Sequence, residues 1–164
     1  MKAEKGTRVD SYGTLNEVLV NLFRDVMEIE QRALESSEFQ DLTNNDMHVI
    51  EAIGIQEPKN MSTIARTLSV TVGTLTIAMN SLVKKGYVIR QRGQTDRRVV
   101  YISLSEKGKA AYQHHARFHQ EMIQSIVEQL TEDELAALTK ALTCLDHWFR
   151  EKDGCSQKRG CGKD

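Results

Sequence analysis

Proline, cysteine and long apolar runs are scarce in this sequence. The scarcity of apolar runs and of cysteine argues against two classes of protein, those that span a membrane and those held together by disulfides. No stretch approaches the roughly 20 apolar residues that a membrane span needs, and no secretory apolar segment follows Met1, so we expect a cytoplasmic protein with no membrane partner. The three cysteines, Cys144, Cys155 and Cys161, do not make a disulfide framework, which is consistent with a reducing compartment. No nucleophile, base and orienting acid occur together in a recognisable motif, and we therefore expect neither an enzyme nor a cofactor.

Charge is unevenly distributed along the chain. The formal net charge of the 164 residues is −1, and the length suits one domain with its own core. Residues 59–109 carry ten lysines and arginines against Asp96 and Glu106, a net charge of +8 that leaves −9 for the remainder. Such a basic segment in a near-neutral chain predicts contact with nucleic acid, although a solvated basic face would have the same composition.

Within the basic segment, residues 61–86 have the pattern of two short helices. The first follows a suitable N-cap, Ser62, and has an inward stripe of Ile64, Ala65 and Leu68. Poor helix formers at residues 69–71 then predict a turn. The second helix has its own inward stripe, made of Val72, Leu75, Met79, Leu82 and Val83. Gly86, after two lysines, fits the end of that helix.

A basic β-hairpin is predicted directly after these helices. Residues 87–92 and 99–104 are rich in β-branched and aromatic residues, and a turn cluster at 93–96 separates them. The hairpin carries four arginines, which are Arg90, Arg92, Arg97 and Arg98. Two helices followed by a basic hairpin form a winged helix-turn-helix, which places one helix in the DNA major groove and the hairpin against the backbone or the minor groove.

The rest of the chain is predicted to be helical. An apolar seam runs along a helix from about residue 12 to 36. The next helix begins at Thr43, in a sequence typical of a capping box, and ends at Pro58. Ser105 caps a long helix to about residue 129, and Thr131 begins a last helix to about residue 152.

Apolar seams at both ends of the chain exceed what one small winged unit needs. We expect them to form a dimerisation bundle, because a two-fold dimer sets two recognition helices about 34 Å apart and reads a pseudo-palindrome. Closure of a monomer core is the alternative. The expected fold is mainly α with a small β-wing: one domain at 12–152, with dimerisation helices at 12–36 and 105–152, a winged helix-turn-helix at 43–104, and a flexible tail at 153–164.

Several motifs in this order resemble the MarR family of bacterial transcription regulators. They are Gly73-Thr-Leu-Thr76, Leu82-Val-Lys-Lys-Gly86, Asp96-Arg-Arg98 and Leu104-Ser-Glu-Lys-Gly108. Within the family the chain is most similar to the fatty-acid-synthesis repressor branch (FabT-like), through Asn45-Asp-Met-His48, residues 70–76, Arg97-Arg-Val-Val100 and residues 115–119.

The resemblance implies that Asp96 holds a following arginine, Arg98 or else Arg97, toward the minor groove; a routine exposed ion pair is the plainer interpretation. On the second helix, Asn80 suits an adenine and Ile77 a thymine methyl. Since no arginine lies on that face, we expect an A·T-rich pseudo-palindromic operator read partly by shape. The predicted DNA-binding residues are Thr71, Gly73, Thr74, Thr76, Ile77, Asn80, Lys84, Arg90, Asp96, Arg97 and Arg98.

The resemblance also implies an effector, because this branch responds to long-chain acyl groups on acyl carrier protein, which act as corepressors. Adaptable apolar side chains at the junction of the first, second and fifth helices suit such a chain, although each would also suit an ordinary core. They are Phe23, Met27, Met47, Phe118 and Met122. Lys109 and Arg117 are candidates for docking the acidic carrier protein.

Three alternatives stay open beside an acyl effector. The chain could respond to a different small apolar ligand, respond to oxidation of Cys155 and Cys161, or be a protein-interaction module, which the retained arginine-rich hairpin argues against. His115 and His119 have a spacing that can bind a metal on a helix, but no third ligand lies nearby in sequence. An inward, hydrogen-bonded His115 is the simpler interpretation, and we expect no metal site.

Overall fold

In the computed structural model, helices dominate the described part of the chain, which comprises residues 4–93 and 99–157, with side chains described at 12–93 and 99–152. The helices are α1 Glu4–Glu35, α2 Asn44–Ile53, α3 Met61–Thr67, α4 Val72–Lys84, α5 Glu106–Val127 and α6 Glu132–Gln157. The strands are β1 Lys59–Asn60, β2 Val88–Arg92 and β3 Val100–Leu104. Two compact units divide the chain between Phe118 and His119. Among the described residues, no helix is long and apolar enough to cross a membrane.

The sheet is antiparallel and has the strand order β1-β3-β2. The predicted hairpin of β2 and β3 is confirmed, with Val88 opposite Leu104 and Arg92 opposite Val100. A third strand, β1, pairs with the other edge of β3 and was not predicted from the sequence. Two residues are too short a run to display the alternation that marks a strand.

The core of the first unit lies between the sheet, the end of α1 and helices α2 to α5. Its completely covered side chains include Leu34, Met47, Ile50, Ile64, Leu75, Met79, Leu82, Tyr87 and Ile102. The inward stripe predicted for α4 is correct in its middle and wrong at its ends, because Val72 and Val83 are 45% and 36% exposed. Val72 is the first residue of the helix, and Val83 lies about 100° around the helix from Leu82.

Most predicted helix starts are confirmed by their caps. The side chain of Thr43 accepts from the Asp46 amide while the Asp46 carboxylate accepts from the Thr43 amide, a complete capping box. At the start of α5, the Gly108 amide donates to Ser105 Oγ at 3.0 Å. At the start of α6, Thr131 and Glu134 form a reciprocal pair like that of Thr43 and Asp46: the Thr131 amide donates to the Glu134 carboxylate, and the Glu134 amide donates to Thr131 Oγ1.

Four predicted boundaries are wrong. Helix α1 begins at Glu4, eight residues before the predicted start at about residue 12. Helix α3 begins after Asn60, not Ser62, because Asn60 Oδ1 accepts from the Thr63 amide at 2.8 Å. Helix α2 ends at Ile53, well before Pro58, since Gly54 takes a φ of 71° and donates its amide to Ile50. Helix α6 extends to Gln157, five residues past the predicted end and into the predicted tail; residues 158–164 lie outside the described part.

Candidate nucleic-acid interface

The turn between α3 and α4 fixes the direction of α4. The Val70 amide donates to the Ala65 carbonyl at 3.0 Å and the Ser69 amide to the Arg66 carbonyl at 3.2 Å, a pairing typical of a helix that ends in a left-handed residue. Ser69 is that residue, with a φ of 54°. Thr71 then caps α4 by accepting from the Thr74 amide at 3.1 Å. The two helices are therefore joined by a tight, hydrogen-bonded turn.

The outward side of α4 is small, polar and accessible. We call it the recognition face, and it consists of Thr71, Gly73, Thr74, Thr76, Ile77, Asn80 and Lys84. All are exposed except the half-buried Thr76, whose hydroxyl donates to the Val72 carbonyl at 2.7 Å. Ile77 is 75% exposed and lies on the side of α4 opposite its buried residues Leu75, Met79 and Leu82. An exposed amide at Asn80 and an exposed methyl surface at Ile77 can contact base edges in a major groove.

The predicted wing is described only in part. Arg90 and Arg92 are exposed on β2. Just beyond the last paired residues of the hairpin, the Gly93 amide donates to the Val99 carbonyl at 2.9 Å. Asp96, Arg97 and Arg98, which the sequence analysis assigned to the tip, lie outside the described residues. Their roles stay predictions.

A partly buried ion pair attaches the end of α4 to the start of α2. Lys85 Nζ lies 2.8 Å from Asp46 Oδ2, and Asp46 is only 8% exposed. The same carboxylate oxygen accepts from the Thr43 amide at 3.2 Å. One aspartate therefore caps α2 and holds the end of the recognition helix, a role that the sequence analysis did not identify, because 39 residues separate Asp46 from Lys85.

A second polar cluster sits where the wing begins. The Tyr87 hydroxyl donates to Asp41 Oδ1 at 2.5 Å, and Lys107 Nζ lies 4.0 Å from the centre of the Tyr87 ring and 3.6 Å from Asp41 Oδ2. Burial raises the pKa of Tyr87 well above its usual value, and the hydrogen bond to Asp41 is the second cause of the increase. That hydrogen bond also lowers the pKa of Asp41. The cluster connects the segment between α1 and α2 to the sheet and to α5.

The five residues predicted to bind an acyl chain have different environments. Met47 is completely buried in the core, whereas Phe23 and Met27 are exposed on α1. Phe118 is half-buried and lies nearly parallel to His115, with ring centres 6.4 Å apart. Met122 is half-buried in the second unit. The proposed acyl site thus stays a prediction.

The inward position predicted for His115 is confirmed. This histidine is 3% exposed, and its Nε2 lies 3.5 Å from Glu51 Oε1. The other oxygen of Glu51 lies 3.5 Å from Nδ1 of His48, on the same helix. Glu51 therefore bridges two imidazoles, an arrangement that no local sequence pattern indicated.

Comparisons with known proteins agree with this geometry. A model of the MarR family matches residues 40–99, which contain α2 through β2. A crystal structure of Streptococcus pneumoniae FabT in complex with DNA is similar, with 37% sequence identity, a TM-score of 0.82, and coverage of 85% of this chain and 98% of that chain.

Curated relatives are similar over shorter stretches. An uncharacterized HTH-type transcriptional regulator of Bacillus subtilis, YpoP, is 28% identical over 107 residues, which cover 65% of this chain and 76% of YpoP. The regulator SarZ of Staphylococcus saprophyticus is 42% identical over 69 residues, 42% of this chain. The chain spans about half the length of SarZ, 47%.

Proposed function

This chain belongs to the MarR family of DNA-binding transcriptional regulators, which are not enzymes, and from that premise we propose that it is a homodimeric repressor of fatty-acid-synthesis genes. The observation that carries the proposal is the similarity to a DNA-bound FabT, at 37% identity over 98% of that chain. A repressor of this kind acts on the chromosome, so we place it in the cytoplasm.

We propose that the recognition face enters the major groove and that the wing reaches the adjacent minor groove. Asn80 would bond N6 and N7 of an adenine, and Ile77 would contact a thymine methyl. At the wing tip, Asp96 would orient Arg98 toward a narrow, A·T-rich minor groove, where the negative potential is strongest. The operator would be an A·T-rich pseudo-palindrome, because a two-fold dimer presents two copies of this surface.

We further propose that acyl chains on acyl carrier protein strengthen DNA binding. Burial of an acyl chain contributes roughly 0.8 kcal/mol per methylene, so a short buried length is sufficient for a coupling of 1 to 3 kcal/mol. Only the difference in affinity between the DNA-competent dimer and the free dimer counts toward that coupling. The exposed side chains of Phe23 and Met27 on α1 support an apolar contact in this region.

The first test concerns the wing. We expect alanine at both Arg97 and Arg98 to weaken operator binding by about one to three orders of magnitude and to reduce the slope of log K against log salt by about 2, because two phosphate or groove contacts are lost. Operators would be selected from random DNA, and binding would be measured by fluorescence anisotropy at several salt concentrations.

The matched control removes two arginines from outside the predicted interface. Alanine at both Arg24 and Arg32, which are exposed on α1, makes the same change in net charge and should leave the salt slope within experimental error. If the wing variant binds as tightly as the parent, or if G·C-rich palindromes are selected, the proposed mode of DNA binding is wrong.

The second test concerns the effector. Operator affinity would be measured with carrier protein that is unloaded or loaded with a long acyl chain, after native mass spectrometry and removal of any copurified lipid. We expect the loaded form to tighten binding by about 5- to 150-fold. An equal effect of both forms would reject the acyl corepressor and leave DNA binding and family membership untouched.

A further inference from the structure

Three residues connect the end of α4 to the first strand of the wing. We call them the helix–wing joint, and they are Lys85, Gly86 and Tyr87. All three amides donate back to carbonyls in the last turn of α4, at 2.9 to 3.1 Å. Gly86 has a φ of 83°, a conformation that glycine adopts without a steric cost. The joint is therefore attached to α4 through each of its backbone donors.

The carbonyls of the joint are bonded to the start of α5. The Lys85 carbonyl accepts from Lys107 Nζ at 3.3 Å. The Gly86 carbonyl accepts from the Ser105 hydroxyl at 2.6 Å, and the Tyr87 carbonyl accepts from the Ser105 amide at 2.9 Å. Every backbone polar group of the joint thus has a partner, and the joint has no unbonded segment about which it could turn freely.

Two aspartates from a distant part of the chain hold the side chains of the joint. Asp46 Oδ2, at the start of α2, lies 2.8 Å from Lys85 Nζ. Asp41 Oδ1, just before α2, accepts from the Tyr87 hydroxyl at 2.5 Å. Tyr87 is completely covered and Asp46 is 8% exposed, so water competes little for these contacts. The joint is consequently held from α2, α4 and α5 at once.

A fixed joint matters because the wing is a lever. Strand β2 has five residues, so its far end lies about 16 Å from the joint at roughly 3.3 Å per residue. A rotation of about 10° at the joint would move that end by about 3 Å, the length of a hydrogen bond. Contacts in a major groove and in the adjacent minor groove can form together only if the angle between helix and wing is held more closely than that.

We propose that Asp41 and Asp46 are positioning residues for DNA binding. Through their contacts with the joint, they hold the wing at a fixed angle to α4. This role has the opposite sign to their charge. A carboxylate in the DNA-binding unit repels phosphates, so its removal alone would tighten DNA binding, whereas loss of the fixed angle weakens it. The proposal rests on the proposed function, because it concerns simultaneous contact with two grooves.

The test uses this difference in sign. We expect Asp46→Asn to weaken binding of the selected operator by about tenfold at constant salt, while the affinity for an unrelated duplex of the same length stays within about twofold or rises. Asparagine can still accept from the Thr43 amide, so the cap of α2 is kept. Fluorescence anisotropy measures both affinities, and chemical denaturation confirms that each variant is folded at the temperature of the binding assay.

The matched control makes the same change in charge away from the joint. Glu106, on α5, has a side chain that is 90% exposed and pairs with Lys109. Glu106→Gln should bind both duplexes at least as tightly as the parent, because it removes a repulsive charge and leaves the joint intact.

A further measurement separates positioning from a merely structural role. The variant with alanine at both Arg97 and Arg98 has lost the wing contacts that the joint would align. Adding Asp46→Asn to that variant should therefore change operator affinity by less than about twofold. Tyr87→Phe removes the hydroxyl bonded to Asp41 without a change in charge. It should weaken operator binding by about threefold or more, and it provides the same test if Asp46→Asn does not fold.

Three results would overturn the proposal. The first is operator binding by Asp46→Asn that is as tight as that of Glu106→Gln. The second is an equal loss of affinity on the two duplexes, and the third is a full tenfold loss in the variant that lacks both wing arginines, since neither would come from alignment of the wing. If the parent does not prefer the selected operator, the proposed function fails and the positioning role fails with it. The parent measurement alone identifies that case.

Discussion

At the scale of single residues, the DNA-binding unit depends on a few close contacts between distant parts of the chain. Gly108, in the first turn of α5, packs against the backbone at the start of the wing. A Cβ atom on Gly108 would lie 2.1 Å from the Tyr87 carbonyl oxygen and 3.2 Å from the Leu104 Cβ. Backbone atoms cannot move aside as the end of a flexible side chain can, so this close approach requires a glycine.

We therefore expect Gly108→Ala to destabilise the protein by about 2 to 4 kcal/mol, since the added methyl group displaces α5 from the sheet. Chemical denaturation followed by circular dichroism measures the change. Gly13→Ala is the matched control: Gly13 lies in α1, none of the described atoms outside its own helical turns lies within 4 Å of the added Cβ, and alanine should stabilise the helix slightly. Equal stabilities of the two variants would contradict the contact between Gly108 and Tyr87.

At the scale of elements, the sequence predicted what is local and missed what is distant. The capping box of Thr43 and Asp46 lies within four residues, and the hairpin strands were predicted from their β-branched and aromatic residues. Strand β1 is two residues long, and the contact of Lys85 with Asp46 spans 39 positions, so neither leaves a local pattern. Six of the seven positions of the recognition face follow from the helical period once the buried stripe is known, and the seventh, Thr71, is the N-cap of the helix.

The turn between α3 and α4 offers a test at this scale. Ser69 has a φ of 54°, which costs a residue with a Cβ roughly 1 kcal/mol or more, and glycine avoids that cost. Because glycine also increases the entropy of the unfolded chain, we expect Ser69→Gly to stabilise the protein by a net amount of about 0.5 kcal/mol.

Thermal unfolding of Ser69→Gly should show a midpoint raised by about 1 to 3 °C. The control is Ser81→Gly, the same replacement inside α4, which should destabilise the protein by about 0.5 to 1 kcal/mol. If both replacements destabilise the protein equally, Ser69 does not hold the left-handed conformation that aims α4.

At the scale of the whole molecule, the apolar seams call for a partner. Side chains predicted to lie in the seam of α1, including Leu15, Leu22 and Ile29, are half or more exposed, and so are Leu142 and Phe149 on α6 to nearly the same extent. Closure of a monomer core would cover these side chains and does not account for their exposure. A line of exposed apolar side chains along a helix marks an interaction site, and a second copy of the chain also supplies the second recognition helix that a pseudo-palindrome requires.

A charge placed in either seam should therefore dissociate the dimer. We expect Leu15→Glu and Leu142→Glu, tested separately, to weaken self-association by at least about tenfold, or 1.4 kcal/mol, because two like charges are buried across a two-fold interface. Light scattering after size exclusion measures the mass.

Ile55→Glu, at an exposed apolar residue between α2 and β1, is the control and should stay dimeric. A dissociated variant contacts one half-site, so its salt slope on the operator should fall to about half. Two variants that remain dimers with an unchanged slope would show that the seams are not the interface, and the expected spacing of the two recognition helices would lose its basis.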